Sequence, residues 1–116
     1  MIDRDKPTRD DLMDEARAID ALGALAQRTR LAIVRHLVRQ GREGASAGTV
    51  AEAVGAAPSR ASFHLAALER AGLVVGERVS RRIVYRADFE QLGRLVAFLL
   101  EDCCANDPSV RRRCRP

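Results

Sequence analysis

Between Ser46 and Gly72 the chain carries two helix starts and two helix stops so close together that only a short helix, a tight turn and a second helix satisfy them. Ser46 offers a side-chain oxygen to the first turn of a helix over Ala47 to Val54, and Gly55 stops that helix. Pro58 suits the first turn of the next one, which runs to Arg70 and ends at Gly72. Ala61, Leu65 and Leu68 recur at helical spacing and are expected to face a core. Upstream, Leu12, Ala16, Ile19, Leu22 or Gly23, and Ala26 mark one amphipathic helix. A second spans about 28 to 39, with Leu31, Val34, Leu37 and Val38 inward and an end near Gly41. Downstream, Leu73 to Val79 and Arg82 to Arg86 are rich in β-branched residues, and the polar pair Ser80 and Arg81 between them predicts a hairpin. A last helix starts at Asp88, which forms a capping-box-like pair with Gln91. Its apolar positions, Phe89, Leu92, Leu95, Val96, Phe98, Leu99 and Leu100, are too many for one core-facing stripe, so it needs a second partner, most simply another subunit.

Composition sets the limits. The chain has 116 residues, 47% hydrophobic and 31% charged, enough to fold as a single domain over 1–116 with one core. Residues 1–11 are polar and read as a mobile arm. Pro108 disfavours helix at Asp107, so residues 105–116 are expected to form a flexible tail rich in Arg and Cys. The longest apolar run, Leu95 to Leu100, falls far short of the roughly 18 residues of a membrane span. Met1 to Arg17 lacks the apolar region of a secretory signal, and a cytoplasmic location is expected. No glycine-rich phosphate loop, Ser-His-Asp set or Cys-x-x-Cys points to an enzyme or to an organic cofactor.

Net charge is +4, and of the 20 basic residues only Lys6 is a lysine. Arginine forks suit phosphates and guanine edges. Helices followed by a basic hairpin follow the order of a winged helix-turn-helix, mainly α with a small β-hairpin, whose second short helix enters the major groove. With Ala61, Leu65 and Leu68 inward, Ser59, Arg60, Ser62, Phe63 and part of His64 turn outward near the helix start. Arg60 can fork to guanine, the serines can bond phosphate or a base edge, and Phe63 can touch a thymine methyl. Arg78, Arg81 and Arg82 on the hairpin are placed for phosphates or an adjacent minor groove. Singly, each is what a solvated surface carries; their order along the chain is what points to double-stranded DNA.

Three stretches, Ala24-Leu25-Ala26-Gln27-Arg28-Thr29-Arg30-Leu31, Ser62-Phe63-His64-Leu65-Ala66-Ala67-Leu68-Glu69-Arg70-Ala71-Gly72-Leu73-Val74 and Arg81-Arg82-Ile83-Val84-Tyr85-Arg86, make residues 18 to 104 resemble the ArsR family of winged-helix metalloregulatory repressors. The resemblance implies a homodimer joined through its first and last helices, bound to an inverted-repeat operator and released by a metal or metalloid ion. Two departures are local. Gln27-Arg28 stands where Asp-Pro is common, which weakens the cap of the second helix, and Ser80 stands where the wing tip usually has glycine.

All three cysteines, Cys103, Cys104 and Cys114, lie near the carboxyl end. The recognition-helix Cys-x-Cys of arsenic sensors is absent, as are the His and Asp pairs of the family's zinc sensors. Glu101-Asp102-Cys103-Cys104 is similar to the Cys-Cys ending of the last helix in another arsenite-responsive branch. Trivalent arsenic and antimony are soft and favour thiolates, so Cys103 and Cys104, with Cys114 as a third ligand, form the candidate metal site. Cys103 continues the stripe of Leu92, Val96 and Leu99 towards the expected dimer seam. Without Cys114 the site holds two thiolates, better suited to a monosubstituted organoarsenical. Oxidation or reactive-sulfur sensing through a disulfide is the alternative, as is another soft metal such as cadmium, lead or zinc.

Overall fold

The computed structural model describes residues 13–114. The arm expected over 1–11 lies outside the described residues, as do Leu12, Arg115 and Pro116. Helices α1 (Glu15–Leu25) and α2 (Arg28–Gln40) are followed by a 3₁₀ turn over Gly41–Glu43, a two-residue strand β1 (Ala45–Ser46), α3 (Ala47–Val54) and α4 (Pro58–Arg70). The hairpin β2 (Val74–Val79) and β3 (Arg82–Ala87) leads to α5 (Phe89–Ala97), a π-helical segment Phe98–Cys103, and α6 (Pro108–Cys114). The sheet has three antiparallel strands in the order β1-β3-β2, so the expected hairpin gains an edge strand too short to carry a pattern.

The predicted caps form. Ser46 accepts from the Thr49 N–H, Gly55 closes α3 in the left-handed conformation, and Asp88 accepts from the Gln91 N–H at 3.0 Å. Gln27 corrects the expectation of a weak cap, because its Oε1 accepts from the Arg30 N–H at 2.8 Å and does the work of the missing aspartate. Gly44 sits at φ 68°, where β1 passes so close to β3 that a Cβ would collide with the carbonyl oxygen of Tyr85.

Ile33, Leu37, Val50, Leu65, Leu68, Leu73 and Val74 are the largest fully buried side chains, gathered where α2, α3, α4 and the root of the hairpin meet. On α1 the inward face is the reverse of the expected one. Ala18, Ala21 and Ala24 are buried, while Ile19 is 60% exposed and Leu22 is exposed too. Alanines let the helix axis approach its neighbours closely, and the larger side chains are left outside. The face of α2 is likewise rotated: Ile33 joins Val34 and Leu37 inside, and Leu31 and Val38 are exposed.

The carboxyl end departs furthest from expectation. On α5 only Leu95 is buried; Leu92, Phe98 and Leu99 pack against the core from the edge, and Val96 is 48% exposed. Beyond Ala97 the helix widens, with the Cys104 N–H donating to the Leu99 carbonyl five residues back at 2.9 Å. That widening falls between Leu99 and Cys103, and Cys103, like Val96, is exposed on the single chain. Residues 105–114 are not a trailing tail. Ala105 and Asn106 turn at φ 50° and 57°, and α6 begins at once. Pro108 is compatible with a first helical turn, and the Asp107 carboxylate accepts from the Ser109 N–H at 2.8 Å.

Candidate nucleic-acid interface and the carboxyl-terminal thiols

Helix α4 exposes one face of its first two turns. Ser59, Arg60 and Ser62 are exposed and Phe63 is 60% exposed, above Ala61, Leu65 and Leu68, which are fully buried. A rigid inner face thus holds a polar outer face, the arrangement needed to place side chains against base edges. Among the described residues no side chain caps α4, and Pro58 has no N–H, so the Ser59 and Arg60 N–H groups remain for an outside acceptor such as phosphate.

His64 departs from the expected outward position. It is 7% exposed, and its Nδ1 accepts from Arg30 Nε at 3.1 Å across 34 residues of sequence. Burial first, then the Arg30 and Arg60 guanidinium groups, lower its pKa below the ordinary 6.5, so the ring is neutral near pH 7. Its imidazole meets the Phe63 ring edge-on at 5.5 Å between centroids, and the Arg30 guanidinium lies over the same ring at 5.9 Å. Gln27, Ser59, Arg60, Phe63 and His64 line an open cleft of about 440 Å³ between the start of α2 and the start of α4. Gln27 and Arg30 were not foreseen as part of this surface. Gln27 could have been suspected as a side-chain acceptor just before a helix, but nothing local links Arg30 to His64.

The hairpin is anchored at both ends. The Glu69 carboxylate on α4 accepts from the Gly76 N–H at 3.2 Å, which fixes β2 relative to the recognition helix. Arg86 pairs with Glu77, and its Nε donates to the Arg42 carbonyl at 2.7 Å, tying β3 to the turn after α2. Arg78, Arg81 and Arg82 are all exposed, as expected, but they do not point one way. Arg78 is opposite Ile83 and Arg82 opposite Val79, so the two arginines leave opposite faces of the hairpin, with Arg81 at the tip. Ser80 takes the usual glycine's place at φ 60°.

Cys103 and Cys104 end the π-helical segment, the first exposed and the second half-buried; Cys114, exposed, closes α6. Among the described residues no group of three His, Cys, Asp or Glu side chains is placed to hold a metal ion. A three-thiolate pyramid is therefore not assembled within one chain. The donor set that chain neighbours do bring together is a pair of soft thiols, which fits a thiophilic ligand with two open valences. No helix among the described residues is long and apolar enough to cross a membrane.

The profile of a family described as a helix-turn-helix domain matches residues 25–77. Among curated proteins none matches the chain. Solved structures do. An ArsR-like transcriptional regulator from Rhodococcus sp. RHA1 is 29% identical over 84% of this chain and 89% of that one, with a TM-score of 0.69. A possible ArsR-family regulator from Mycobacterium bovis, described in solution as a homodimeric winged helix-turn-helix DNA-binding domain, is 29% identical over 80% and 86% of the two chains at a TM-score of 0.60. Its crystal structure gives 30% identity over 79% and 94%, with a TM-score of 0.58. A possible transcriptional regulator for arsenical resistance is 28% identical over 76% and 96%, with a TM-score of 0.61.

Proposed function

This chain belongs to the ArsR family of winged helix-turn-helix transcriptional regulators, and from that premise we propose that it is a homodimeric repressor released from its operator by trivalent arsenic at Cys103 and Cys104. The observation that carries the DNA-binding half is the exposed start of α4, with Ser59, Arg60, Ser62 and Phe63 outward over a buried apolar face. A symmetric pair of such heads, about 34 Å apart, reads two half-sites of an inverted repeat. Arg60 forks to a base edge, and Arg81 at the wing tip holds the flanking backbone, with Arg78 and Arg82 reaching phosphates from the two opposite faces of the hairpin.

Pairing is supported by the apolar surface one chain leaves uncovered. Ile19 and Leu22 on α1 and Val96 on α5 are exposed, on the first helix of the domain and on the helix that follows the hairpin. A homodimeric neighbour and a neighbour linked to arsenical resistance favour the same reading. The adjacent thiols suit a monosubstituted trivalent arsenical; arsenite or antimonite would recruit Cys114 as third ligand. Because the thiols end the helix that also carries Val96, clamping them changes how the two heads are held apart. A coupling of about 1–3 kcal/mol is typical of such linkage.

The test is fluorescence anisotropy on duplex DNA from the protein's own promoter. Affinity is expected to fall steeply with salt, as phosphate contacts require. Arg60→Ala should cost about 1–3 kcal/mol per head and leave arsenical affinity unchanged. Phenylarsenical and arsenite should release the DNA, whereas cadmium, zinc or peroxide should not. Weak salt dependence would point to a protein partner, and release by peroxide alone to a thiol redox sensor.

A further inference from the structure

We infer that Arg30, which lies outside the recognition helix, is a positioning residue for base reading: it locks the His64 imidazole and the Phe63 ring into the orientation in which Phe63 meets DNA. The inference rests on the DNA-binding reading and adds a residue to it. An exposed phenylalanine on a helix surface ordinarily samples several rotamers, and ordering it on binding costs conformational entropy. Phe63 is 60% exposed yet bounded on two sides, by the Arg30 guanidinium over its ring at 5.9 Å and by the His64 imidazole at its edge at 5.5 Å and 71°. Neither neighbour is free to drift. Arg30 Nε donates to His64 Nδ1 at 3.1 Å, and His64 is buried beside Leu65. Arg30 itself is fixed near the start of α2, where its N–H donates to the Gln27 cap at 2.8 Å.

The geometry selects chemistry as well as position. A bond accepted at Nδ1 places the imidazole proton on Nε2 and requires the neutral ring. Lysine cannot replace arginine here, because it has neither the planar face for the Phe63 ring nor a donor part-way along its side chain. The consequence is rigid apolar contact at one base step, and the ligand chemistry it fits is the C5-methyl group of thymine. A ring held in advance distinguishes a methyl from a hydrogen; a ring that moves freely fills either space.

The experiment compares the parent with Arg30→Lys, His64→Leu and His64→Asn on two series of duplexes: promoter DNA against random DNA, and promoter DNA in which single thymines are replaced by deoxyuridine. Circular dichroism and urea midpoints establish that each variant is folded. The parent should lose affinity at one thymine per half-site when its methyl is removed. Arg30→Lys and His64→Leu should abolish that discrimination and lower the promoter-to-random ratio about tenfold, with the salt slope unchanged because phosphate contacts are untouched. His64→Asn keeps an acceptor near the Nδ1 position and should retain most of both. A folded Arg30→Lys that still distinguishes thymine from deoxyuridine overturns the inference, and so does a parent that binds its promoter but responds to no methyl deletion. Failure of the parent to bind DNA at all would instead reject the DNA-binding reading.

Discussion

The helix pair α3–α4 and the segment from α5 to α6 are of similar length but differ in how complete they are within one chain. In the first, Val50, Ala51, Ala61, Leu65, Ala67 and Leu68 are buried, and Phe63 is the one large apolar side chain left exposed. In the second, only Leu95 is buried, Phe98, Leu99 and Leu100 remain half-covered, and Val96 is exposed. A reading head that must present side chains to within a fraction of an ångström is built on a closed core. The carboxyl end, which carries the thiols of the proposed arsenical site, is left open, with a π-helical turn in place of regular helix.

The sharpest way to break that contrast is to truncate one residue on each side of it. Leu65→Ala should cost about 2–5 kcal/mol in urea unfolding, because it leaves a cavity in a fully closed site. Ile19→Glu, on the uncovered face of α1, should leave the unfolding of the isolated chain nearly unchanged yet shift analytical ultracentrifugation from dimer to monomer. Equal losses of stability would mean that the apolar face of α1 belongs to the chain's own core.

A smaller effect sharpens the account of the reading head. His64 takes up a proton near its ordinary value in the unfolded chain, but burial and the two arginines resist that proton in the folded one. The stability contributed by the neutral ring is therefore present above about pH 6.5 and is lost as pH falls from there through the lower folded value, where the unfolded chain binds more protons. Urea midpoints measured across this range should decline for the parent and flatten in His64→Asn. The smallest effect is expected at the hairpin tip. Ser80→Gly relieves a left-handed serine and should raise stability by about 0.5 kcal/mol, with operator affinity unchanged.

Where a chemical signal was local, the sequence carried it. Ser46, Gly55, Pro58 and the Asp88–Gln91 pair are each read from neighbours within four residues, and the elements they bound are the ones observed. What escaped depends on partners distant in the chain. Ala18, Ala21 and Ala24 lie inward because α1 packs closely, a preference that ranking by side-chain size reverses. The inward turn of His64 depends on Arg30, and β1 exists only because β3 passes beside it. A tail over 105–116 is expected because Pro108 reads as a helix breaker, whereas after Asp107 it starts α6. The three cysteines are read directly from the sequence, but the widening of the helix that ends at Cys103 is not, since a π turn changes the phase without changing the composition.

The account stands or falls on coupling between these two regions, and the direct measurement is anisotropy of promoter DNA titrated with phenylarsenical, for the parent and for the double variant Cys103→Ser and Cys104→Ser. The parent should lose at least about tenfold in operator affinity, equivalent to 1.4 kcal/mol, while the variant binds DNA equally well and does not respond. A variant released by the arsenical as readily as the parent would contradict the account.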